Sequence, residues 1–247
     1  MQKLGITHAF NAVFGPFFGW LMQLVGLHPA HPMSPINDVF AEEMLVAFIL
    51  LAFFMLVRAT LSVENPNPTQ HVAEIIHEVV GGLSDQVIGH GYERFQSFVT
   101  CVGLFVLLNN LAGLLIGVVP GVVTPTSQPV VPLGIAVLTF LYYNFHGFRA
   151  QGPVGYIKHF MGPLPALSPL MIPIEIVSHL ARMMSLTIRL YANMFASDLM
   201  VLVAFSLIPL ALPAGFLALH AVVSVIQAFV FMLLAMIYLS MAVAQEH

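Results

Sequence analysis

Long apolar runs separated by short polar breaks organise almost the whole chain. A membrane-spanning helix needs about 20 mostly apolar residues. The first full run is Val39 to Leu61, with Glu42 and Glu43 at its start and Arg58 near its end. Between Arg94 and Arg149 there is no charged residue, and two runs fit in that stretch. They are Phe95 to Val119 and Val131 to Phe148, parted by the turn-rich Pro120-Gly121 to Pro129. A fourth region, Met171 to Ile208, is longer than one perpendicular crossing requires, and Pro209 and Pro213 interrupt it. A fifth runs from Ala214 to Ala244. The pattern predicts an all-α integral membrane protein of about five spanning helices. It ends in a long, tilted two-helix hairpin, 171–208 and 214–244.

Segment 70–90 follows another rule. Val72, Ile75, Ile76, Val79, Val80, Leu83 and Val87 recur at helical spacing, while His71, Glu74, His77, Glu78 and Asp85 fall elsewhere. That is an amphipathic helix lying on the interface or bridging to a partner, with a bend or break expected at Gly81-Gly82. Before the first span, Ala9 to Leu27 is apolar but carries Gly15-Pro16, where a break is expected. It lacks a strongly basic start and a small-residue cleavage site. Residues 1–37 are therefore an expected outside interfacial segment, and 38–247 a single membrane domain. His28 and His31 lie among Pro29 and Pro32 and read as a loop rather than metal ligands.

Composition agrees with the pattern. Charged residues make up 7% of the chain and hydrophobic ones 59%, with a mean hydropathy of +0.94. A soluble domain carries about 25% charged residues, so most of this surface must meet a lipid bilayer. A formal net charge of −4 gives no basic face for a nucleic acid. The single cysteine, Cys101, excludes an internal disulfide and reads as a small packing residue. Arg58, Arg94, Arg149 and Lys158 share one side if the helices alternate, while 120–130 and 209–213 carry no Lys or Arg. By the positive-inside rule the N-terminus lies outside, and the 149–170 loop and Gln245-Glu246-His247 inside; Lys3 is an exception.

Met171 to Ile208 also contains Glu175, His179, Arg182, Arg189 and Asp198. An ionisable group at mid-membrane costs at least ~2.5–3.5 kcal/mol on insertion scales, so each needs a partner, water or an edge position. His179 and Arg182 near the inner edge can snorkel. Arg189 and Asn193 are one turn apart on one face. Glu175, fourteen residues before Arg189, lies within about 40° of that face and about 21 Å toward the inside. Asp198, nine residues after Arg189, lies about 180° around and about 13 Å toward the outside. Arg189 has no carboxylate at helical spacing and keeps its proton, so its partner comes from elsewhere. In the last helix His220, Ser224 and Gln227 fall at i, i+4 and i+7. Folding the hairpin side by side sets Asp198 near Ser224, between His220 and Gln227. Asn109 and Asn110 read as interhelical hydrogen-bonding groups.

These residues carry a resemblance. Ser185-Leu186-Thr187-Ile188-Arg189-Leu190-Tyr191-Ala192-Asn193-Met194 resembles the SLxxRLxxN signature of subunit a of F-type ATP synthases. Gln227-Ala228-Phe229-Val230-Phe231-Met232, continuing to Tyr238-Leu239-Ser240-Met241, is similar to that family's closing helix, and Asn110-Leu111-Ala112-Gly113-Leu114 to its Asn-Leu-x-Gly-Leu stretch. The resemblance covers roughly 38–247 and is strongest over 170–243. It implies a proton-translocating stator subunit of the membrane sector. Arg189 would be the essential charge facing a ring of c subunits, with Asn193 beside it. Asp198, His220 and Gln227, with Ser224 on their stripe, would form the outer half-channel, and Glu175 the opposite one. It implies peripheral-stalk b subunits as further partners, no cofactor, no metal, and a bacterial plasma membrane. Many members have Glu in place of Asp198 and Gly or Asp in place of Ser197, and a Phe-Gly pair where this chain has Tyr191-Ala192.

The residues exclude other chemistry. No Gly-x-x-x-x-Gly-Lys-Ser/Thr phosphate loop is present, so ATP sites belong to other subunits and the chain is not an enzyme on its own. His77-Glu78 begins a zinc-type His-Glu-x-x-His, but Gly81 stands at the second His. His146, His179 and His220 do not supply facing haem ligands. A secondary ion-coupled transporter is the alternative, although no internal repeat is evident.

Overall fold

The computed structural model describes residues 5–24, 35–62, 65–115, 124–161, 168–207 and 211–243. Its helices are α1 (Gly5–Leu24), α2 (Asp38–Ala59), α3 (Pro68–Ile88), α4 (Glu93–Leu111), α5 (Val130–Met161), α6 (Ser168–Leu207) and α7 (Ala211–Val243). Short 3-10 turns follow α4 (Ala112–Leu115) and precede α5 (Pro125–Ser127). No strand occurs among the described residues. Among the described residues five helices are long and apolar enough to cross a membrane: Asp38–Ala59, Glu93–Leu114, Val130–Gly152, Met171–Leu207 and Leu212–Val243. The expected all-α architecture with a long C-terminal hairpin is what the chain adopts.

The centre of the bundle is α4, α5, α6 and α7. Val102 and Val106 of α4, Ile135 of α5, Leu186, Leu190 and Met194 of α6 and Phe231 of α7 are buried together. A second cluster joins Val80 of α3 to Phe95, Val99, Tyr143, Met236 and Leu239. The outward faces stay apolar, with Leu141, Phe145, Val177, Leu202, Val203 and Val222 all exposed, as lipid requires.

Several local expectations change. α3 runs unbroken through Gly81-Gly82; Gly82 faces open space, whereas Gly81 serves packing, since a Cβ there would lie 2.8 Å from Gln96 Nε2. That amide donates to the His77 carbonyl at 2.6 Å, drawing α3 onto α4. The apolar face of α3 is thus divided, with Val80 buried and Val72, Ile75 and Val79 exposed. α1 likewise continues through Gly15-Pro16. Asn11 fixes α1 by exchanging both backbone bonds with Ile36, at 3.1 Å each.

α4 gives way at Ala112 to the 3-10 turn that ends at Leu115, and residues 116–119 of the expected span lie outside the described residues. α5 passes Phe148 and reaches Met161, with a non-helical break at Gly152 (φ 73°). Pro213 is tolerated in the first turn of α7, and Pro209, His28 and His31 lie outside the described residues. Cys101 is exposed on the surface of α4 rather than packed.

Candidate functional site

α6 presents two unlike faces. Leu186, Leu190, Met194, Asp198 and Val201 are buried against the bundle, while Ser185, Arg189, Ala192, Asn193 and Ala196 are exposed. Arg189 forms no ion pair among the described residues. Ser185, Ala192 and Ala196 around it have small side chains, which leave room for a helix backbone to approach closely.

Asp198 sits on the buried side. The Thr124 hydroxyl donates to its Oδ1 at 2.7 Å, and His220 Nδ1 lies 3.7 Å from the same oxygen. Ser127 also faces this carboxylate. His220, fully buried, is held on both ring nitrogens: Nδ1 is 2.7 Å from Ser197 Oγ, and Nε2 is 3.0 Å from the Asn110 carbonyl. A carbonyl only accepts, so Nε2 carries the hydrogen; in the neutral tautomer this fixes, Nδ1 accepts from the Ser197 hydroxyl. The level pairing of Asp198 with Ser224 expected from the hairpin therefore shifts toward His220. Ser224 instead accepts from Asn110 Nδ2 through its carbonyl at 3.3 Å, and its own buried hydroxyl has no hydrogen-bond partner. Gln227 is buried one turn further along.

The turn before α5 completes this pocket. Thr124, Pro125, Thr126 and Ser127 are all buried, and Thr126 donates to Asn110 Oδ1 at 2.6 Å. Gly113 closes the opposite side, where an added Cβ would meet Thr124 Oγ1 and lie 2.5 Å from His220 Nε2. The Asn-Leu-Ala-Gly-Leu stretch therefore supplies a carbonyl for His220 and then the space for its ring.

Toward the start of α6 lies a second polar cluster. Glu175 Oε1 is 3.3 Å from His179 Nε2 and 3.8 Å from Arg182. Tyr143 of α5 bonds His179 Nδ1 at 3.0 Å, and Arg182 stands over the Tyr238 ring at 5.9 Å. His179 and Arg182 are thus both engaged with Glu175. Among the described residues no cluster of His, Cys, Asp or Glu is arranged to hold a metal ion.

A family model described as ATP synthase A chain matches residues 42–240, which include every group named above. The chain belongs to the ATP synthase subunit a family. It is 46% identical to the ATP synthase subunit a of Koribacter versatilis over 246 residues, covering 100% of this chain and 99% of that protein. The counterpart from Solibacter usitatus is 42% identical over 227 residues, 92% and 95% of the two chains. That from Bdellovibrio bacteriovorus is 43% identical over 177 residues, 71% and 75%.

Within this subunit a fold, the structure brings Asp198 and His220 together and places Ser224 and Gln227 on the same buried stripe. Arg189 and Asn193 stand on the exposed face, and Glu175 in the separate cluster with His179. The sequence reading missed Thr124, Ser127, Ser197, Tyr143 and Tyr238 as partners. Thr124-Pro125-Thr126-Ser127 carries a signal, three hydroxyls around a proline between two spans. The tyrosines carry none, since their roles depend on packing between α5, α6 and α7.

Proposed function

We infer that this chain is the proton-conducting stator subunit of the membrane sector of a rotary ATP synthase, working against c-subunit carboxylates and anchored by b subunits. The observation that carries this reading is the exposed, unpaired Arg189 on a stripe of small residues. A cation so placed needs an anion from another chain. A ring carboxylate opposite Arg189 is held ionised by the nearby charge. It releases its proton toward the Glu175 cluster, passes the arginine, and is protonated through the Asp198, His220, Ser224 and Gln227 stripe. Neutral, it crosses lipid without the charge penalty. Asn193, one turn from Arg189, lines the same contact face.

Arg189 also separates the two paths, because a proton moving directly between them meets a fixed positive charge. A potential of 100 mV supplies about 2.3 kcal/mol per proton, so several are required for each ATP made elsewhere in the complex. Residues 38–247 act as one membrane domain in a bacterial plasma membrane, with segment 1–37 and the N-terminus outside and the C-terminus in the cytoplasm.

The test is Arg189→Ala, assembled with its partner subunits in membrane vesicles. ATP-driven acidification is expected to disappear with the ring still assembled, and passive proton leak to rise once the catalytic head is stripped. Normal pumping would overturn the reading and favour an ion-coupled transporter.

A further inference from the structure

At the end of the bundle that carries Arg58, Arg94 and Arg149, a cavity of about 850 Å³ opens between the α3–α4 turn, α5 and the last turn of α7. Four of its lining side chains are basic or basic when protonated: His90, Arg94, His146 and Arg149. No lining residue is acidic. Neither Arg94 nor Arg149 forms an ion pair among the described residues, and both are exposed. Two guanidinium groups facing one cavity form a binding site for an anion, and planar forks suit phosphate oxygens.

The helices beneath this cavity say which phosphate. On α4, Arg94, Phe98, Cys101 and Phe105 fall at i, i+4, i+7 and i+11, and on α5, Leu138, Tyr142, Phe145 and Arg149 repeat that spacing. Each arginine therefore stands at the end of an apolar helical stripe. Phe98 stacks on Tyr142 with ring centroids 3.6 Å apart, joining the two stripes. Further along, Phe98, Cys101, Phe105 and Leu138 line a mainly apolar groove of about 680 Å³ that α2 closes, its one acidic lining residue, Glu43, lying in the first turns of α2 away from the arginines. Cys101 is seven residues from Arg94, about 10 Å along the helix. That is the reach from a phospholipid phosphate into its acyl chain. A soluble phosphate has no use for the groove, and a zwitterionic lipid gains less from a cavity without an acidic group.

We propose that the cavity between Arg94 and Arg149 and the groove along α4 and α5 together bind one anionic phospholipid, phosphate on the guanidinium groups and an acyl chain over Cys101. The site rests on the membrane placement of the spans and is independent of the proton path. Its lipid ties the ends of α4 and α5 together where their own side chains leave positive charge uncompensated.

The test uses the assembled complex in phosphatidylcholine vesicles containing a minor fraction of phosphatidylglycerol with a photoreactive acyl chain. Labelling of the unaltered complex is expected within 94–105 and 138–149, and to survive millimolar inorganic phosphate. The double variant Arg94→Gln, Arg149→Gln is expected to bind the probe roughly 10- to 30-fold more weakly. Arg58→Gln, which removes an exposed charge outside the site, should leave labelling unchanged. Three results would overturn the proposal. They are absence of label from both segments in the unaltered complex, equal labelling by a photoreactive phosphatidylcholine, or displacement by inorganic phosphate. If the double variant fails to assemble, the labelling pattern and competition on the unaltered complex still decide.

Discussion

Thr124 and Gly113 lie on separate stretches of chain, yet both end against the Asp198 and His220 pair. Thr124 supplies the short hydrogen bond to the carboxylate, and such a bond to a charged group contributes ~1.5–3 kcal/mol. Thr124→Val is expected to slow ATP-driven proton pumping by about tenfold, with Thr124→Ser close to normal; vesicle acidification rates check both. Gly113→Ala is predicted to be more damaging, because its methyl group needs the space of the His220 ring. It should lower both assembly and pumping, read by subunit content and acidification, and normal values of both would refute the packing argument. At this scale Arg189, Asp198 and His220 were legible in the sequence, since charges and imidazoles within apolar runs stand out. Thr124 was not, because a threonine in a loop looks like any other until the loop folds beneath a carboxylate.

For single elements, α6 decides most. Its 40 residues span about 60 Å at 1.5 Å per residue, twice the ~30 Å hydrocarbon core. In the proposed function its exposed small-residue face around Arg189 is where a neighbouring helix passes closely. Ala192→Trp is expected to reduce pumping by about tenfold or more, since overpacking a tight helix contact costs ~1–3 kcal/mol. The chain should still insert, which membrane fractionation confirms, and undiminished pumping would argue against a close partner on this face. Helix identities were readable from apolar run length, but the effect of glycine and proline was not. Gly81-Gly82 and Gly15-Pro16 look like breaks, yet both helices run on, and Gln96 of the neighbouring helix occupies the space that Gly81 leaves. Where α5 does break, at Gly152, the apolar run in the sequence has already ended four residues earlier, at Phe148.

The whole molecule is asymmetric in charge from end to end. Arg58, Arg94 and Arg149 lie at one end, whereas the Pro125–Ser127 turn at the other carries no charge. The positive-inside rule then makes a directional prediction. In a Cys101→Ser background, Gln128→Cys should react with a membrane-impermeant maleimide from outside intact cells. Asn67→Cys, exposed and making no side-chain cap bond, should react only in inverted vesicles. The reverse pattern would invert the topology. Composition makes the membrane class plain at this scale. The convergence of α4, α5, α6 and α7 on two polar clusters needed three-dimensional packing to appear.

The way His220 is held bears on how a proton can travel. Relay through an imidazole requires arrival at one nitrogen and departure from the other. Here Nε2–H is committed to the Asn110 carbonyl, which offers no site from which a proton could be supplied or removed. While that bond holds, the ring exchanges protons only at Nδ1, on the side of Ser197 and Asp198. In the proposed path a proton therefore crosses this imidazole only when the Asn110 bond opens, so each transit through His220 includes a small mechanical step.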